Sequence, residues 1–160
     1  MIGKIYLLVV LFFMAHFSKG QKVEMVRLEK LLSEISTPTD EIRVYNFWAT
    51  WCAPCVKELP LFEKVNEDDK DVKITLVSMD IDLDPNPEKV YKFIDRKKLQ
   101  SRVIILEAAD PNSWINKIDQ NWSGALPATL IINTKTGKRR FVNSAMKEGE
   151  LEQLIAAVKI

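Results

Sequence analysis

Asn46-Phe-Trp-Ala-Thr-Trp-Cys-Ala-Pro-Cys-Val-Lys-Glu-Leu-Pro60 contains the only two cysteines of the 160-residue chain. Upstream, Arg43 to Trp48 is rich in aromatic and β-forming residues and reads as a buried strand ending just before the cysteines. Downstream, Val56-Lys-Glu-Leu59 continues as a helix. Cys52 then falls at a helix N-terminus, where the dipole and free N–H groups stabilise a thiolate, which makes it the candidate nucleophile. Cys55, one turn further on, is placed to attack a mixed disulfide at Cys52, releasing the product and closing the pair. As a structural staple a CxxC pair would remove little entropy from the unfolded chain, because the loop it closes is so small. A structural zinc site needs four ligands, which two cysteines do not supply. Redox chemistry is the reading, with no metal, and with the Cys52–Cys55 disulfide as the only redox group and no separate cofactor.

Residues 1–20 read as an export signal. Lys4 gives a basic start, Ile5 to Phe17 is an apolar run, and Ser18 and Gly20 suit a small-residue cleavage site. Thirteen apolar residues fall short of the roughly 20 that span a bilayer, so cleavage is expected, with an uncleaved anchor as the alternative. Losing Lys4, Lys19 and His16 takes the 23 basic residues to 21 against 22 acidic ones and leaves no histidine. No imidazole then remains as base or metal ligand, and near-neutral charge without a basic stripe argues against a nucleic-acid partner. Residues 21–160 suit a single domain with its own core, in a periplasmic or otherwise extracytoplasmic location.

The stretch from Asn46 to Pro60 resembles the active-site signature of thioredoxin-like proteins, in the extracytoplasmic TlpA/ResA form. Trp51 matches the tryptophan before the first cysteine, Pro54 the proline between the two, and Pro60 the proline that kinks the active-site helix. Glu58 matches the acidic residue of the branch's WCxPCxxExP pattern, where it lines the active-site cavity and tunes thiol acidity or partner recognition. Gly124-Ala-Leu-Pro127, leading into Ala128 to Asn133, resembles the loop whose cis-proline faces the cysteines. The resemblance implies that Leu126 and Pro127 form a docking edge for extended peptides, together with Trp51, Ala53 and Pro54. The alternative is a trans proline that merely opens a strand. Thioredoxin itself carries a buried aspartate where Asn46 stands. Asparagine cannot take a proton, so Glu58 is the candidate to help deprotonate Cys55. The competing reading is a solvated glutamate on a helix face.

Around this centre, Met25, Leu28, Leu32 and Ile35 recur at helical spacing, as do Leu151, Leu154, Ile155 and Val158. Lys73 to Met79 reads as a second central strand, Asn86 to Leu99 as a helix, Arg102 to Leu106 as a short strand, and Asp110 to Asn121 as a further helix. Thr129 to Asn133 and Arg139 to Asn143 flank a Lys135-Thr-Gly137 turn and read as a hairpin. The order is α/β, a central mixed sheet covered by helices on both faces. The resemblance makes this a thioredoxin-like fold with one strand and one helix inserted between Cys55 and Pro127, which lie 72 positions apart. Asp80-x-Asp82-x-Asp84 begins like a calcium loop, but Pro85 and Tyr91 stand where glycine and glutamate belong, so a solvated acidic loop is expected. Asn121-Trp-Ser123 is a glycosylation sequon only in a host that glycosylates. Phe47, Phe62 and Phe93 read as packing, and Trp122 as capping the core, with a place flanking the active site as its alternative.

The resemblance implies a thiol:disulfide oxidoreductase acting on protein dithiols or disulfides, apocytochrome c among them, with a membrane electron donor and the chain working as a monomer. Ala53-Pro54 between the cysteines supplies no histidine to stabilise the thiolate, which favours a reductant. The alternatives are a thiol oxidase or isomerase, and a non-catalytic thioredoxin-fold module that binds peptides.

Overall fold

The computed structural model describes residues 23–82, 84–107 and 110–159. The signal expected over residues 1–20 lies outside the described residues. Six strands form one mixed sheet in the order β1-β4-β3-β2-β5-β6. They are β1 (Glu24–Arg27), β2 (Ile42–Trp48), β3 (Val72–Ser78), β4 (Arg102–Glu107), β5 (Ala128–Asn133) and β6 (Arg139–Val142). The helices are α1 (Leu28–Ser36), α2 (Ala53–Asp68), α3 (Glu88–Lys97), α4 (Ile115–Ile118) and α5 (Glu150–Lys159).

Strand β2 is central, parallel to β3 from Ile42↔Val72 to Trp48↔Ser78 and antiparallel to β5 from Ile42↔Asn133 to Phe47↔Ala128. Parallel neighbours β2, β3 and β4 need crossovers, and right-handed crossovers that step one way along the sheet put their helices on one face. Accordingly Leu59, Phe62 and Val65 of α2 share a core with Val90, Phe93 and Ile94 of α3, and with Leu151, Ile155 and Val158 of α5. On the other face, Leu31 and Ile35 of α1 and Ile115 and Ile118 of α4 pack with Trp114, Trp122, Tyr45, Phe47 and Leu130. Alternation along β2 sends Val44 to the first core and Tyr45 and Phe47 to the second, as a strand buried on both faces requires.

The thioredoxin-like fold and its insertion agree with the resemblance: β4 and the short α4 lie between α2 and Pro127 beyond β3 and α3. Two elements differ from expectation. The described residues open with strand β1 rather than a helix from Met25, because Val26 pairs with Leu106 and is buried while Met25 is 39% exposed. Four residues with one buried side chain are too few to show a period of two. The helix expected from Asp110 to Asn121 is instead a 3-10 turn at Pro111–Ser113 followed by the four-residue α4. Trp114 is fully buried between them, and the Asp119 carboxylate accepts from the Asn121 N–H at 3.0 Å, turning the chain away from helix.

Phe62 is wholly buried in the α2 stripe that roofs the sheet. Phe62→Ala is expected to lower unfolding free energy by about 3–5 kcal/mol, read by urea unfolding of the oxidised domain.

Candidate active site

The cysteines sit where β2 hands the chain to α2. Cys52 is the N-cap of α2 and Pro54 occupies its first turn, where a missing N–H costs nothing. The Cys52 N–H donates to the Ala49 carbonyl at 3.1 Å, and the Val56 N–H to the Cys52 carbonyl at 3.0 Å. Cys52 and Cys55 are joined as a disulfide. Cys55 is fully buried and Cys52 5% exposed, so Cys52 is the less covered of the two. The Cys55 N–H points at Cys52 Sγ, 3.4 Å away, one of the helix-terminal donors available to a thiolate there. Trp51, Ala53 and Pro54 are exposed around the pair, with Trp51 at 52%.

The loop leading to the thiols is held by Asp80, which the sequence places in a solvated acidic loop but which is 3% exposed. One carboxylate oxygen accepts from the Thr50 N–H at 3.0 Å and from the Ser78 hydroxyl at 2.9 Å, while the Thr50 hydroxyl donates to the other. The Met79 N–H adds a bond to the Trp48 carbonyl at 2.8 Å. Ser78 and Asp80 at the end of β3 thus clamp the end of β2. No local motif announces the clamp, because it spans two neighbouring strand ends.

Glu58, three residues after Cys55 on α2, is 2% exposed, which removes the solvated reading. Its Oε1 accepts from Asn46 Nδ2 at 2.8 Å and its Oε2 from the Met146 N–H at 2.6 Å. Asn46 Nδ2 also lies 3.1 Å from the Thr129 hydroxyl, Thr129 standing opposite Asn46 in the β2–β5 register. Burial raises the Glu58 carboxyl above the ordinary glutamate value; the Met146 and Asn46 donors pull it down, and nearby Glu150 pushes it up again. Asn46 suits either charge state. Its NH2 donates to a carboxylate, and a half-turn of the amide would offer its carbonyl, now without a partner among the described residues, to a protonated acid. Thr129 and the Met146 backbone carry no signal in the sequence; only cross-strand register and a loop 88 residues away bring them here.

Beside Glu58 an open groove of about 580 Å³ is lined by Pro54, Lys57, Leu61 and the stretch from Ala145 to Glu148. A larger groove of about 720 Å³ lies on another flank of α2 against Lys97 to Gln100. Glu63 there is spent on the Gln100 and Ser101 N–H groups, and no thiol lines it. Across the sheet, the Leu126–Pro127 peptide bond is cis. Since Ala128 pairs with Phe47, Pro127 lies level with Trp48, at the same end of the sheet as the cysteines. Leu126 is half-buried and packs against both cores, including the cluster that holds Cys52 and Cys55. Among the described residues no group of three or more histidine, cysteine or carboxylate side chains is gathered as a metal site.

The redoxin family model matches residues 20–150. The chain belongs to the redoxin family. This redoxin is similar to the thiol-disulfide oxidoreductase ResA of Halalkalibacterium halodurans, 28% identical over 115 residues that cover 71% of this chain and 60% of that protein. The thioredoxin-like protein YneN of Bacillus subtilis is 29% identical over 139 residues, 84% of this chain and 77% of YneN. Among solved structures, the thioredoxin-related protein from Neisseria meningitidis serogroup B superposes with TM-score 0.65 at 22% identity, covering 76% of this chain and 87% of that one. StoA from Bacillus subtilis gives 0.57, also at 22% identity, over 72% and 83%. The structural likeness shows a thioredoxin-like fold.

A carboxyl whose folded pKa is raised contributes stability that is fully present below the unfolded value, about 4.3, and is lost as pH rises through the folded value. Glu58→Gln keeps the shape and removes the titration. Relative to that variant the wild-type redoxin is expected to lose stability as pH rises across this window and to stay lower beyond it. Urea midpoints of the oxidised protein from about pH 4 to about pH 8 check the sign; parallel profiles would contradict it.

Proposed function

We propose that this redoxin is an extracytoplasmic thiol:disulfide oxidoreductase that reduces disulfides in exported proteins, apocytochrome c being one candidate. The reading is carried by the Cys52–Cys55 pair at the N-terminus of α2, with Cys55 fully buried and Cys52 the less covered of the two. Its relatives' names, thiol-disulfide oxidoreductase and thioredoxin-like protein, support the reaction class. The apolar stretch Ile5 to Phe17 supports export through a cleaved signal over residues 1–20, with residues 21–160 as the working domain. None of the described helices is long and apolar enough to cross a membrane.

In the reduced protein, the Cys52 thiolate attacks one sulfur of the substrate disulfide. A Cys52–substrate bond forms, the substrate S–S bond breaks, and the leaving sulfur takes up a proton. Cys55, its proton passed to Glu58 directly or through water, then attacks Cys52 Sγ. The second substrate sulfur leaves as a thiol, and the Cys52–Cys55 disulfide seen here is the product. Two electrons and two protons reach the substrate. A dithiol donor, assigned to the membrane, restores the pair by the reverse exchange. Trp51, Ala53 and Pro54 frame the attacking sulfur, and Leu126 and Pro127 offer backbone to an extended substrate segment. The chain acts as a monomer and needs no cofactor beyond its own disulfide.

The potential of the pair decides direction. Dithiol couples of this kind run from about −270 mV for thioredoxin to about −120 mV for DsbA, and Ala53–Pro54 adds no cationic side chain to stabilise the thiolate. Equilibration with glutathione or dithiothreitol buffers is expected to give about −220 mV or lower. A value near about −120 mV would make the protein an oxidant, and the lack of a reversible couple would leave a peptide-binding module. Cys55→Ser is expected to accumulate mixed disulfides on Cys52 in cells, resolved by non-reducing gels; recovering none would count against protein substrates.

A further inference from the structure

Trp122 lies outside the thiol site and is 2% exposed. Its ring sits 4.6 Å from Phe47 of β2, 5.7 Å from Trp114 in an edge-on contact, and 5.8 Å from Phe141 of β6. Its indole N–H donates to the Ala125 carbonyl at 2.9 Å. The turn around it is closed by the Trp122 N–H to the Asp119 carbonyl at 3.1 Å. Gly124 takes φ +85°, a left-handed conformation that glycine adopts without strain.

Packing alone does not demand the indole bond, for Trp48 is fully buried in the same protein with its indole N–H unpaired among the described residues. The bond has a directional consequence. A peptide group is planar, so the Ala125 carbonyl oxygen and the Leu126 N–H belong to one rigid unit and, in a trans bond, point opposite ways. The only cis bond among the described residues is Leu126–Pro127. Anchoring the Ala125 oxygen to buried Trp122 therefore aims the Leu126 N–H away from that core. No partner for this N–H occurs among the described residues.

We propose that Trp122 is a positioning residue for substrate docking: through the Ala125 carbonyl it orients the Leu126 N–H to donate to the backbone carbonyl of an extended polypeptide segment beside the substrate disulfide. This rests on the reading of Leu126 and Pro127 as the docking edge. It assigns specificity for polypeptide over small disulfides to an indole that touches neither thiol nor substrate.

Trp122→Phe keeps an aromatic ring and removes the donor, and two readouts test it. In the 15N-labelled oxidised protein, the Leu126 amide resonance is expected to shift or broaden while those of Thr129 to Ile132 hold; an unmoved Leu126 resonance overturns the proposal. In turnover with insulin as the polypeptide disulfide, KM is expected to rise roughly fivefold to tenfold with kcat within about twofold, the loss of about one hydrogen bond. Reaction with a small aromatic disulfide and the reduction potential should stay unchanged. Equal losses on both disulfides, or an unchanged insulin KM, would reduce Trp122 to packing. Wild-type protein that exchanges with the small disulfide but never with insulin would instead remove the functional reading, and the Leu126 resonance would still decide the positioning. If the phenylalanine variant unfolds, benzothienylalanine at position 122, which replaces the indole N–H by sulfur in a ring of nearly the same shape, answers the same questions.

Discussion

Asp80 is the constraint on which the thiol site depends. Its carboxylate is buried and compensated by donors, the Thr50 N–H and the hydroxyls of Thr50 and Ser78. A buried carboxylate that lost those donors would be left with a desolvation penalty of several kcal/mol, so the arrangement is held as a unit. Because Asp80 lies two residues beyond β3 and Thr50 two residues beyond β2, the carboxylate locks together two parallel strand ends whose ladder already runs to Trp48↔Ser78. The Cys52 turn starts from this fixed point, and helix α2 takes its direction from it.

Glu58 is the second group whose surroundings set its chemistry. It sits in a helix that would ordinarily show a glutamate to water, yet Asn46 from β2 and the Met146 backbone meet its two oxygens. The opposing influences on its carboxyl, burial against two N–H donors, leave burial the stronger. Its carboxyl therefore holds a proton to higher pH than an exposed glutamate does. Asn46, unable to accept a proton itself, serves as the amide that accommodates either state.

Much of this is legible in the sequence, and the illegible part has a common physical cause. The β2 strand, the cysteine turn and α2 are local, and their composition and period declare them. Strand β5 after Pro127 and the closing α5 are equally plain, as is the extra strand β4 before Pro127. What stays hidden is short or non-local. Strand β1 has only Val26 to bury, so nothing in its own residues distinguishes it from the helix that follows. The stretch after Asp110 has helical residues but is turned by buried Trp114 and the Asp119 carboxylate. Asp80 looks like part of a solvated acidic run because two of its donors come from Thr50, 30 residues away beyond β2. Trp122 reads correctly as core, but the partner of its indole N–H depends on a loop conformation that no spacing rule encodes.

Glu58 and Met146 are 88 residues apart, and the bond between them joins the active-site helix to the segment that leads into α5. Both cysteines precede Met146 by more than 90 residues, so the turn that bears them is built from sequence neighbours while the contact on Glu58 is not. The wall that buries Glu58 is supplied only when the segment around Met146 docks. Loosening the segment around Met146 would therefore open Glu58 to water while leaving the cysteine turn at the head of α2 in place.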